Sequence, residues 1–232
     1  MSVLQKFHQR FIQPLTTRKV IGVILGNLFI GIGATGLRLS MMGNDPYTAC
    51  NMALSEGFQI GLGTYQLIVN ILLLIIQLIW GRSYLGLGTI INMCCLGYVI
   101  QYATILLRIT IGDGNGKSFL YQLVYMLISL IIIAFGLSMY QIANLGVSPY
   151  DYLALGMTAH FKPPYFFNRI ITDTLCVLII LVSVGIRFIS WENAHLGIGT
   201  IMSAFCLGPF INMFNRFNRK WITPNKSTES EQ

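Results

Sequence analysis

One stretch of this chain occurs twice. Residues 85–100 read LGLGTIINMCCLGYVI and residues 196–211 read LGIGTIMSAFCLGPFI, and nine of the sixteen positions agree. A second echo lies upstream, where Gly36-Leu37, Gly43 and Pro46-Tyr47 are answered by Gly136-Leu137, Gly146 and Pro149-Tyr150. Shared apolar composition alone would match ~2 of sixteen residues, so the whole chain is an internal repeat. The spacing between partners grows from 100 (Gly36 to Gly136) through 103 (Pro46 to Pro149) to 111 (Leu85 to Leu196). Loops have drifted while the elements persisted.

Composition says what solvent the halves occupy. The chain is 54% hydrophobic and 10% charged, with a mean hydropathy of +0.66, whereas soluble domains carry roughly 25% charged residues. Six apolar segments, at 20–42, 64–80, 86–109, 119–142, 166–189 and 196–215, each approach the ~20 residues that a helix needs to cross ~30 Å of hydrocarbon. Their apolar runs are continuous rather than alternating, which indicates helices and not barrel strands. Three fall in each repeat, and three is odd, so the second half enters the membrane from the opposite side. The expected fold is all-α: six transmembrane helices as two inverted three-span repeats, 20–110 and 119–215, each with a short re-entrant or interfacial helix.

The positive charges give the topology. With six spans both termini share a side, which would hold Lys6, Arg10, Arg18, Lys19, Arg82, Lys162, Arg216, Arg219, Lys220 and Lys226. The opposite side would hold Lys117 and Arg187, with Arg38 and Arg108 near its boundary. That asymmetry puts both termini in the cytoplasm of a multi-pass cell-membrane protein. The net charge of +7 is therefore a topology signal, and its residues cap apolar spans instead of forming the aromatic-interleaved basic surface that nucleic acid requires. Residues 1–19 lack a small-residue cleavage site and place Leu4, Phe7, Phe11 and Leu15 at helical spacing, as an interfacial amphipathic segment does. Residues 216–232 form a basic and polar cytoplasmic tail.

Several features carry little chemistry. Cys50, Cys94, Cys95, Cys176 and Cys206 lie in or beside apolar spans with no CxxC pair, and read as small buried hydrophobes. His8, His160 and His195 form no i, i+4 pair, so neither a metal nor a cofactor is implied. Gly31, Gly33 and Gly36 match G-x-G-x-x-G, but inside a membrane span and without a preceding strand. Close helix packing explains them.

The informative polar residues emerge when the repeats are overlaid. Arg38 aligns with Ser138, Asp45 with Ser148, Thr48 with Asp151, Gln66 with Arg169, Asn70 with Asp173 and Asn92 with Ser203. Polar falls on polar in each pair, as expected of positions facing a common interior. Segments 46–58 and 149–160 are too short to span, and open on Asp45-Pro46 and Ser148-Pro149, each a side-chain cap followed by a proline at the first helical position. As half-helices they would aim positive N-termini at the repeat interface, which favours an anionic group; as interfacial helices they would lie flat. Arg169 and Asp173 stand one turn apart. They read either as a self-neutralising ion pair or as a coupling-ion carboxylate beside an anchor for a carboxylate or phosphate. Candidate solute- or ion-binding residues are Arg38, Asp45, Asn70, Asn92, Asp151, Arg169 and Asp173.

The order of these motifs resembles a known group. Gly36-Leu37-Arg38, Ser40, Gly43, Pro46 and Tyr47, then Gly136-Leu137, Gly146, Pro149-Tyr150-Asp151, Arg169, Asp173, Gly197, Gly199-Thr200 and Gly208-Pro209 look like the YczE/YyaS/YitT family of bacterial integral membrane proteins. The resemblance covers about residues 20–215 and implies a multi-pass inner-membrane protein without a defined activity. The leading expectation is transport of a small solute, with an anion favoured, by alternating access at the repeat interface. A partner-dependent substrate-binding subunit and a non-transporting accessory protein of a membrane enzyme or export system are the alternatives. An enzyme is not expected, because no nucleophile–base constellation is visible. The partners so implied are the bilayer, a small-molecule solute, and either a second copy or another membrane protein.

Overall fold

The computed structural model describes residues 16–162 and 165–223. Among the described residues eight α-helices follow in order: α1 (Thr17–Leu39), α2 (Pro46–Gly57), α3 (Leu62–Trp80), α4 (Leu87–Thr110), α5 (Phe119–Ala143), α6 (Pro149–Phe161), α7 (Tyr165–Gly185) and α8 (Ile198–Ile222), with short 3-10 turns at Arg82–Tyr84 and Trp191–Ala194. All but α2 and α6 are long and apolar enough to cross a membrane, so the protein is a six-span, all-α membrane protein. The interfacial segment expected over 1–19 lies outside the described residues up to residue 15, as does the tail beyond 223. The last helix runs through Arg216, Arg219 and Lys220 to Ile222, beyond the expected end at 215, because cations in a last turn suit the negative end of the helix dipole.

Short helices begin where the caps announce them. Asp45 Oδ1 accepts from the Thr48 backbone N–H at 3.1 Å and Ser148 Oγ accepts from that of Asp151 at 3.2 Å, each satisfying a free donor of the first turn. Gly43 and Gly146, at φ +96° and +120°, make the turns that lead into these caps. A side chain there would be strained and would also meet the backbone of Gly197 or Gly86.

Helices α1 and α5 form the centre. Gly22 approaches Ala143, Gly26 approaches Gly136, and Gly33 approaches Ser129 and Ile133, so numbers rise along one helix as they fall along the other. The two run antiparallel. A Cβ on Gly26 would sit 2.9 Å from the Gly136 carbonyl oxygen, which is why small residues occupy this line. Helix α4 packs on α1 and α8 on α5, while α2 lies against α7 and α6 against α3.

The loops repeat this exchange. Gly199 N–H donates to the Met42 carbonyl at 2.6 Å and Gly88 N–H to that of Leu145 at 2.7 Å; Asn44 N–H donates to His195 and Val147 N–H to Tyr84, at 2.9 and 3.0 Å. Each bond joins one half to the other, and its counterpart uses the matching positions of the repeat.

Candidate functional site

The starts of α2 and α6 meet. Tyr47 and Tyr150, each one residue into its short helix, stack with centroids 3.9 Å apart and planes 10° from parallel. Tyr47 OH donates to Asn70 Oδ1 at 2.8 Å and Tyr150 OH donates to Asp173 Oδ1 at 2.6 Å. Asn70 and Asp173 are each the ninth residue of their helices, about 12 Å along at 1.5 Å per residue. The stacked rings therefore stand level with the middle of α3 and α7.

Ionised groups gather on the α7 side. Arg169 pairs with Asp151, and its Nε lies 3.3 Å from Asp173 Oδ1. Its guanidinium carbon sits 4.7 Å from the centroid of the Tyr150 ring, a cation–π distance. Ser148 Oγ donates to Asp151 Oδ2 at 2.7 Å. Asp45 caps the start of α2, two residues before the stacked Tyr47. Of the seven expected residues, Asp45, Asn70, Asp151, Arg169 and Asp173 thus converge.

Two do not join them. Asn92 donates to Asn27 Oδ1 at 2.7 Å and so ties α4 to α1, a packing bond that satisfies two buried amides. Arg38 pairs with Glu56, which His195 Nε2 approaches at 3.2 Å. This second cluster fastens the end of α2 to the end of α1 and to the turn before α8. Burial pushes the Glu56 carboxyl up, but the His195 hydrogen bond and the charges of His195 and Arg38 prevail and hold it below its ordinary value. Among the described residues no group of three His, Cys, Asp or Glu side chains could hold a metal ion.

Sequence reasoning missed the stacked tyrosines as site residues, and missed Glu56 and His195. The repeat held a clue to the first, because Tyr47 and Tyr150 are matching positions directly after the paired prolines Pro46 and Pro149. The second had no such signal, since the positions matching Glu56 and His195 are Ala159 and Tyr84.

A family of unknown function, DUF6198, matches residues 17–216. The uncharacterized protein YyaS of Bacillus subtilis (strain 168) is 24% identical over 184 residues, covering 79% of this chain and 85% of that protein. The uncharacterized membrane protein YczE of the same organism is 22% identical over 170 residues, covering 72% and 71%. Both names fall in the group that the motifs resemble. No solved structure matches the chain.

Proposed function

The chain belongs to the DUF6198 family of unknown function, and from that premise we propose that it is a transporter built of two inverted three-span repeats, moving a small solute by alternating access at the Tyr47–Tyr150 interface. The observation that carries the reading is the meeting of the α2 and α6 N-termini beside Arg169, Asp151 and Asp173 at the middle of α3 and α7. Supporting it are the antiparallel course of α1 and α5 and the matched loop bonds between halves. On this reading α2 and α6 are re-entrant half-helices, whose dipoles concentrate positive potential where they meet. The excess of Lys and Arg on one side puts both termini in the cytoplasm of the cell membrane.

Chemistry follows from how Arg169 is held. A solute carboxylate or phosphate must take the place of Asp151 or Asp173 on the guanidinium. Protonating one of those carboxylates releases it and leaves the cation for the solute, so anion binding and proton uptake are coupled at one side chain. Asp173 is the proton site and Arg169 the anchor.

The test is a thermal-shift screen of the purified protein against small carboxylates, phosphates and organic cations across mildly acidic to mildly alkaline pH. A binder raises the Tm by mass action. The expected hit is an anion whose shift grows as pH falls and disappears in Arg169→Lys, which keeps the charge and loses the planar fork. A shift that survives in both Arg169→Lys and Asp173→Asn would overturn the assignment.

A further inference from the structure

The two halves repeat most of their helix contacts, and one departure bears on the site. Helices α1, α4, α5 and α8 form one group, joined through α1–α5, α1–α4 and α5–α8; helices α2, α3, α6 and α7 form another, joined through α2–α7, α3–α6, α6–α7 and α2–α3. Each group contains matching elements of both halves. Between the groups, α3 packs broadly on α4, whereas the matching pair α7 and α8 has almost no contact.

The difference can be read residue by residue. A Cβ on Gly97 of α4 would lie 2.9 Å from Gln66 Oε1 and 3.1 Å from Gly63 Cα of α3. Its match on α8, Gly208, is exposed and has nothing within 4 Å of that position. Gln66 is 1% exposed, but the side chain of Arg169, its match, is 29% exposed. Met52 on α2 is fully buried against Leu37, Met126 and Leu130, while Leu155, its match on α6, is only half-buried. One end of the interface between groups is sealed and the other stands open, and the sequence of α8 keeps the glycine that sealing requires.

We propose that the protein has a second conformation in which the two groups rock against each other, so that α7 closes on α8 at Gly208 as α3 now closes on α4 at Gly97, while α3 leaves α4. The motion deepens the alternating-access reading and rests on it. It exchanges one helix interface for its match, so the two states are close in packing, and Arg169 moves from the open to the covered position with the site. With both termini cytoplasmic, the present state opens inward.

The test uses electron–electron double resonance on the full chain in lipid nanodiscs, with Cys94, Cys95 and Cys206 replaced by Ser. Spin labels go at two matching exposed pairs, Leu72→Cys with Tyr102→Cys on α3 and α4, and Leu175→Cys with Met213→Cys on α7 and α8. Each pair should show a short and a long distance, in complementary proportions. Gly208→Leu, whose Cβ meets nothing within 4 Å in the present state, should fold with an unchanged or raised Tm and deplete the short α7–α8 distance by at least about tenfold. Gly97→Ala should shift the populations the other way. A single α7–α8 distance untouched by Gly208→Leu would overturn the proposal, whatever solute binds. Exchange of the two distances, blocked by Gly208→Leu, in a protein that no solute stabilises would uphold the rocking and refute the transport reading.

Discussion

Tyr47 bonds a neutral residue, Asn70 of α3, one turn beyond the neutral Gln66, whereas the matching positions beside Tyr150 hold Asp173 and Arg169 on α7. The backbone framework is the same on both sides, down to the tyrosine hydroxyl that reaches the ninth residue of the neighbouring helix. What differs is the cover. Helix α4 closes over α3 and leaves Gln66 and Asn70 dry, at 1% and 2% exposure, while α8 stands off α7. An ion pair taken wholly out of water must recover several kcal/mol per charge, so amides serve in the sealed half and ions in the open one. The comparison teaches that charge follows access to water, with amides in the covered half of the candidate site and ions in the open half.

The strongest way to break that comparison is to move the charge into the sealed half. Gln66→Arg puts a guanidinium against Gly97 with no carboxylate at Asn70, and should cost at least about 3–5 kcal/mol, seen as loss of folded protein in detergent. Next comes removal from the open half. Arg169→Gln leaves Asp151 and Asp173 without their shared cation and should cost about 3 kcal/mol. Adding Asp173→Asn and Asp151→Thr makes this half a copy of Thr48, Gln66 and Asn70 and should recover most of the melting temperature. A triple variant no better than the single would show that the ions are needed for packing and that access does not explain them.

A smaller effect sharpens the same contrast. Tyr150→Phe removes a hydrogen bond to a carboxylate and should cost about 2 kcal/mol, against about 1 kcal/mol for Tyr47→Phe, which removes one to an amide. Chemical denaturation of the two variants measures the difference, and equal losses would contradict the contrast drawn between the two halves. Smallest is the Arg38–Glu56–His195 cluster, which has no charged counterpart at Ser138, Ala159 and Tyr84. Glu56 is held below its ordinary value of 4.5, so its contribution to stability is present above that pH and is lost as pH falls through the lowered value. Glu56→Gln should flatten that acid limb of the Tm–pH curve and leave the neutral range little changed.

How much of this was legible in the sequence divides along the repeat. Six spans, the two short helices and their Asp45 and Ser148 caps were readable, because helix periodicity and capping are local. Five of the seven candidate residues lie together, as the overlay of the two halves, polar on polar, leads one to expect. Asn92 stands apart from them and bonds Asn27; a buried amide that packs and one that binds look alike in a sequence. Its partner Asn27 lies 65 residues away with no motif to flag it. Arg38 pairs with Glu56, 18 residues on, and no motif in the sequence flags that partner either. The absence of contact between α7 and α8 was out of reach, because Gly97 and Gly208 are the same letter in the same repeated phrase.

The central claim is that the halves cross the membrane in opposite directions, and matching loops test it most directly. Arg82 and Asn193 occupy equivalent exposed positions in the turns before α4 and α8. Cysteines placed there singly, with Cys94, Cys95 and Cys206 replaced by Ser, can be labelled with a membrane-impermeant maleimide in intact cells and again after lysis. Inversion predicts that Asn193→Cys labels in intact cells and Arg82→Cys only after lysis. Labelling of both from one side would mean that the repeats run parallel, and the alternating-access account would fall with it.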